Sequence, residues 1–266
     1  MKLAFSTLGC PDWTLGEIFS AAKDLSFDGV EIRGIGNEVY APAAKPFQVA
    51  HIVKTREEIA AMGVPVVMLA TGICLGQPVL RESNFTEANE YFALAKALDV
   101  SLMRVMIEST PQPERSDYAA AVEAYAQLCD EAARFGVCPL IETNGSLADS
   151  ARMNQFMKDT AHPNSGVLWD IHHPFRFFDE SPEKTCDRLA GLVKYVHVKD
   201  SRVENGKIVY KMLGYGDVPV REAVRALAGA GYDGLLSLEW VKRWCPELED
   251  GGIVFSHFVN FMRGLK

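Results

Sequence analysis

Short apolar runs alternate with stretches of helical periodicity from one end of the chain to the other. Leu3–Thr7 is the first run, and Leu15, Ile18, Phe19, Ala22 and Leu25 then recur at helical spacing. Gly29–Arg33 predicts a second strand and Phe47–Met62 a helix. Pro65–Ala70 predicts a third strand, with a helix near Phe85–Leu98. Leu102–Ile107 is the fourth, followed by a strong stripe of Tyr118, Val122, Tyr125, Cys129 and Ala133. Cys138–Glu142 and Gly166–Asp170 are the fifth and sixth strands, with helices near Leu147–Met157 and Pro182–Leu189. Val193–Val198 and Gly234–Glu239 are the seventh and eighth. Val254, Phe255, Phe258, Val259 and Met262 mark a last helix.

Strands alternating with helices imply parallel pairing through right-handed crossovers. Eight such units in 266 residues, with no Pro/Gly/Ser-rich linker between them, predict one domain over 1–266. The expected fold is a single (β/α)8 TIM barrel, since an open doubly wound sheet would break the pattern or split in two. Two connections are longer than a helix needs. Gly34–Lys45 follows strand two, and Asp200–Gly216 follows strand seven. The second reads as a hairpin, because Asn205-Gly206 suits a tight primed turn between Arg202-Val203 and Ile208–Tyr210. Both lie on the face where such barrels place their chemistry.

Composition narrows the function classes. The formal charge is −8 and the pI about 5.3, so no nucleic-acid partner is expected. Met1–Ser6 enters a strand without a basic leader, and no apolar stretch is long enough for a membrane span. The six cysteines are scattered with no C-x-x-C pair. That pattern predicts free thiols in a reducing compartment and a cytoplasmic location.

The chemistry gathers at the ends of the late strands. Strand five ends in Glu142, strand six in Asp170, strand seven carries His197 and strand eight ends in Glu239. Any one of these alone reads as a solvated strand end or a satisfied histidine. Four in register on successive strands converge on one rim if each points inward. Three carboxylates and an imidazole form a mostly hard donor set. It suits one divalent ion, Mn²⁺ first, with Mg²⁺, Co²⁺ or Zn²⁺ tolerated.

At these residues the sequence resembles the xylose-isomerase-like barrel superfamily of sugar isomerases and epimerases. The resemblance rests on K-L-A-F-S-T at the start, D-G-V-E-I-R (Asp28–Arg33), L-I-E-T-N, W-D-I-H-H, V-H-V-K-D and L-S-L-E-W, in that order. It implies Glu142, Asp170, His197 and Glu239 as metal ligands, with Glu142 and Glu239 doubling as the acid–base pair. It also implies that His173 and Arg202 contact substrate oxygens. Lys199 is a further candidate for binding a substrate group, Asn144 for orienting Glu142, and Trp13 for stacking on a sugar face, as are Trp169, Trp240 and Trp244. Glu31 and Arg33 read as a rim ion pair. Gly214-Tyr215-Gly216-Asp217 resembles a G-x-G loop before a helix, a weak phosphate signal.

The expected activity is a metal-dependent isomerase or epimerase of a ketose or keto-sugar. A carboxylate removes a proton beside the carbonyl while a Lewis acid holds the enediolate oxygens. The alternative on the same site is a dehydratase of a keto-inositol or dehydroshikimate. A remote alternative is apurinic-endonuclease-like DNA repair. It wants histidines after strands three and four, where Thr71, Glu108 and Ser109 stand instead. A sugar-binding barrel without turnover is a further class. The partner is a small sugar, with no membrane involved and a homo-oligomer compatible with the family.

Overall fold

The computed structural model describes residues 1–265 and shows a closed, all-parallel barrel. Its strands are β1 (Lys2–Ser6), β2 (Gly29–Ile32), β3 (Val66–Cys74), β4 (Leu102–Met106), β5 (Cys138–Glu142), β6 (Gly166–Asp170), β7 (Val193–Val198) and β10 (Leu235–Leu238). Each pairs with its sequence neighbours, and β1 closes the ring against β10 through Lys2–Leu235 to Phe5–Leu238. The crossover helices are α1 (Leu15–Asp24), α2 (Ile52–Met62), α3 (Arg81–Leu98), α4 (Tyr118–Ala133), α5 (Ser150–Thr160), α7 (Pro182–Leu189), α8 (Val220–Gly229) and α9 (Gly251–Arg263). Among the described residues no helix is long and apolar enough to cross a membrane, and all six cysteines are free.

Local chemistry sets the helix starts. Thr14 and Glu17 form a capping box at α1, Asp117 caps α4, Asp149 caps α5 and Ser181 caps α7. Each side chain satisfies amides that a helix leaves unpaired in its first turn. Three local features differ from their expected places. The α2 helix begins at Ile52 because Lys45–Phe47 forms a separate 3-10 turn around Pro46. Leu147 lies in the 3-10 turn Gly145–Ala148, ahead of the Asp149 cap. A short helix, α6 (His172–Phe178), follows β6 directly and carries both histidines of W-D-I-H-H.

The hairpin expected after β7 is present as β8 (Asp200–Glu204) and β9 (Lys207–Lys211). Asn205 and Gly206 both have positive φ, 51° and 75°. That is the primed turn whose twist matches antiparallel strands. The hairpin stands on the C-terminal rim, beside the strand ends that carry the candidate ligands.

Inside the barrel, side chains two apart on a strand share a face. Met68, Leu140, Leu168 and Tyr195 form a buried apolar layer. On β5, β6 and β7 the next inward positions are Glu142, Asp170 and His197, all buried. The fold thus sets its charged groups one pleat above an apolar floor.

Candidate metal centre

Glu142, Asp170, His197 and Glu239 converge: one ligand atom from each lies within 4.8 Å of all the others. His197 Nδ1 is the centre of the group, 3.4 Å from Glu142 Oε1, 3.4 Å from Glu239 Oε1 and 4.0 Å from Asp170 Oδ2. Strand register explains the convergence. Asp170 pairs with His197, and His197 with Ser237, at one level of the barrel.

The donors fit a divalent cation. His197 Nδ1 is buried with no hydrogen-bond partner. Its other ring nitrogen, Nε2, lies 2.9 Å from Glu31 Oε2, which also accepts from Ser237 Oγ at 3.1 Å. A carboxylate held against Nε2 leaves the Nδ1 lone pair aimed at the cluster, the arrangement of ligating histidines. Glu31 is therefore not the rim partner of Arg33. Arg33 donates to Val39 O at 3.0 Å and lies over the Trp244 ring. The two side chains diverge because Glu31 points into the barrel, where His197 meets it.

Two buried cations share the site. Arg104 Nη1 donates to Glu142 Oε2 at 2.8 Å and Nη2 to Thr71 O at 2.7 Å. Lys199 Nζ lies 2.5 Å from both Asp170 Oδ2 and Glu239 Oε2. Burial alone would raise the Glu142 carboxyl, but Arg104 and His197 outweigh it and hold it well below the usual carboxylate range. Burial likewise opposes Glu239, which Lys199 and His197 bring below its ordinary value. His197 is pushed down by burial but raised further by Glu31, Glu239 and Glu142, ending well above an ordinary histidine. In the metal-free cluster Glu142 and Glu239 are thus held ionised by protonated neighbours, and a dication would replace the proton at His197.

A cavity of about 250 Å³ opens onto these groups, lined by Arg104, Glu142, Asn144, His173, Lys199, Tyr210, Glu239 and Trp244, among others. That volume suits a compact molecule. A larger groove of about 350 Å³ lies beside Met1, Asp28 and Met262, at the opposite end of the barrel and away from these donors.

The other expected site residues divide. His173 lines the cavity, with Nδ1 bonded to Thr143 O at 3.0 Å and Nε2 3.7 Å from Asp170 Oδ2. Asn144 lines it too, but its amide donates to Glu108 O and Thr110 O, so Arg104 rather than Asn144 holds Glu142. Arg202 is exposed on β8, opposite Val209 and outside the cavity lining, because strand alternation turns Ser201 inward and Arg202 out. Trp13 packs its ring edge-on to Phe255 of α9 and also lies outside the lining. Trp169 and Trp240 are core residues, and only Trp244 reaches the cavity. Asp170, His172 and His173 form a second candidate cluster. It shares Asp170 and has fewer carboxylates, and His172 Nε2 is engaged with Ser201 Oγ at 2.8 Å.

Arg104 and Tyr210 were not among the expected residues. Arg104 had a signal, since a lone charge inside Leu102-Met103-Arg104-Val105-Met106 must find a partner when buried. Tyr210 depends on how the hairpin folds over the mouth, which no local pattern announces.

Residues 19–253 match the family of xylose isomerase-like TIM barrels, and the chain belongs to that family. It is 22% identical over 268 residues to the fructoselysine 3-epimerase of Escherichia coli O157:H7, covering 93% of each chain. Among solved structures it is similar to a D-psicose 3-epimerase from Clostridium cellulolyticum H10 with D-tagatose. That match has a TM-score of 0.78 at 17% identity and covers 100% of this chain and 99% of that one. It is also similar to the IOLI protein with a bound zinc atom, at TM-score 0.82 and 15% identity, covering 100% and 98%. Those two structural likenesses speak to the fold.

Proposed function

We propose that this protein is a divalent-metal-dependent isomerase or epimerase that moves a proton beside the carbonyl of a ketose or keto-sugar. The observation that carries the reading is the unpartnered His197 Nδ1 among three buried carboxylates. Glu142, Asp170, His197 and Glu239 would hold one ion, Mn²⁺ best fitting the hard set. Bound there, the ion would act as a Lewis acid on the substrate carbonyl and a neighbouring oxygen.

The chain's own residues supply the rest. Glu142 and Glu239 come from β5 and from the end of β10, on different sides of the cluster. One carboxylate takes the proton from the substrate carbon. The other returns a proton to the opposite face, or to the adjacent carbon, which gives epimerisation or isomerisation respectively. Arg104 keeps Glu142 ionised and oriented, so that carboxylate is ready as a base. His173 presents Nε2 toward the cavity and is suited to a substrate hydroxyl. Lys199 and Tyr210 border the same space. The chain's formal charge of −8 agrees with a small substrate rather than nucleic acid.

The test is solvent-deuterium incorporation into a panel of ketoses, keto-inositols and dehydroshikimate. Metal-stripped protein is reloaded with Mn²⁺ and followed by proton NMR. Metal-dependent exchange next to the carbonyl is the expected result, and loss of water from the substrate would make the enzyme a dehydratase. Stoichiometric metal with no exchange on any member would count against the reading.

A further inference from the structure

Barrels of this architecture frequently bind phosphate in the loops after their last two strands, where backbone N–H groups and a helix N-terminus point at the anion. In this chain the loop after β7 is filled from within. Asp200 is buried, and its carboxylate accepts from Ser201 N at 2.8 Å, Gly214 N at 2.9 Å, Gly216 N at 2.9 Å and Val218 N at 3.1 Å. Tyr215 N donates to Met212 O and Asp217 N to Ser201 O. Every N–H from Gly214 to Val218 therefore has an acceptor in the chain. A Cβ on Gly216 would collide with Asp200 Oδ1, so no spare volume separates the loop from its carboxylate. The α8 helix that follows already carries Glu222 in its first turn.

The cations are engaged as well. Arg104 and Lys199 are paired with Glu142, Asp170 and Glu239, and Arg176 beside the loop is paired with Asp217. Four buried carboxylates, those three and Glu31, face the two cavity cations, and one dication completes the balance. A phosphate in the cavity would add buried negative charge beside cations that already have carboxylate partners.

We propose that the substrate is an unphosphorylated keto-sugar, because Asp200 occupies the anion cradle a phosphate would need. This rests on the keto-sugar reading above. The test titrates ¹⁵N-labelled, Mg²⁺-loaded full chain with inorganic phosphate to about 10 mM, a range that reveals even weak binding. The amide signals of Gly214, Gly216 and Val218 are expected to stay still in the wild type and to move saturably in Asp200→Ala. Asp200→Ser, whose shorter side chain also vacates the loop, serves if that variant does not fold. Saturable shifts at those amides in the wild type would overturn the proposal. A second arm compares free ketohexoses with their phosphate esters by deuterium exchange. Free sugars are expected to lead by at least about tenfold in kcat/KM, and a preference for the esters would overturn the proposal. If neither kind exchanges, the keto-sugar reading fails, while the phosphate titration still decides the state of the loop.

Discussion

Two layers of side chains fill the same barrel one pleat apart, and they differ in kind. The lower layer is Met68, Leu140, Leu168 and Tyr195. The upper layer is Glu31, Arg104, Glu142, Asp170 and His197, with Ser237 between Glu31 and the strand end. On β5, β6 and β7 only two residues, about 6.6 Å of strand, separate the two. The lower layer is stabilised by removing apolar surface from water. The upper layer is held by pairing each buried charge, an arrangement that adds little stability for its cost in desolvation. The contrast teaches that this barrel keeps its stability and its proposed chemistry on adjacent levels of the same strands.

Substitutions on the two levels should therefore separate cleanly. The largest effect is expected from Glu142→Gln or Glu239→Gln, each lowering substrate deuterium exchange by about 10³-fold with the fold intact. Circular dichroism and exchange rates check it, and a variant that retained near-wild-type exchange would remove that residue from the proton-transfer pair. Next is Leu168→Ala, directly below Asp170, which should cost about 3 kcal/mol of stability while leaving metal affinity unchanged. Denaturant unfolding and metal titration read the two quantities separately. Glu31→Gln should do the reverse, weakening metal binding by about 10–100-fold with a small change in stability, because it loosens the hold on His197 Nε2. Equal effects of these two variants on both readouts would break the comparison.

The smallest effect is on pH. In the metal-free protein Glu142 and Glu239 titrate below the ordinary value of 4.5. Their stabilisation is present above 4.5 and is lost as pH falls through their lowered folded values. His197 titrates well above its ordinary 6.5. Its contribution is full below 6.5 and is lost as pH rises through the raised value. The carboxylate contribution to the metal-free Tm is thus lost on the acid side of 4.5, and the His197 contribution on the alkaline side of 6.5. His197→Asn should abolish the alkaline decline, and an unchanged alkaline limb would place that titration elsewhere.

Much of this was legible in the sequence. Eight βα units and the Asn205-Gly206 turn can be read directly, because apolar periodicity and turn chemistry are local. The converging group of four could be read because Glu142, Asp170 and Glu239 end apolar runs and His197 interrupts one. What local pattern could not give was partnership across the barrel. Glu31 meets His197 from 166 residues away, so its proximity to Arg33 in sequence misled. Arg202 lies five residues from His197, yet the hairpin's alternation turns it to solvent. Asp200 opens the long connection after β7, and three of its four amide partners arrive only when the chain returns through Gly214–Val218.

The central claim is that one divalent ion is held at His197 Nδ1 by Glu142, Asp170 and Glu239. Calorimetric titration of stripped protein with Mn²⁺, with the ion then located by anomalous diffraction, tests it most directly. The account predicts one ion per chain at that nitrogen and loss of binding in His197→Asn. An ion bound instead by Asp170, His172 and His173, or undiminished binding in the variant, would contradict it.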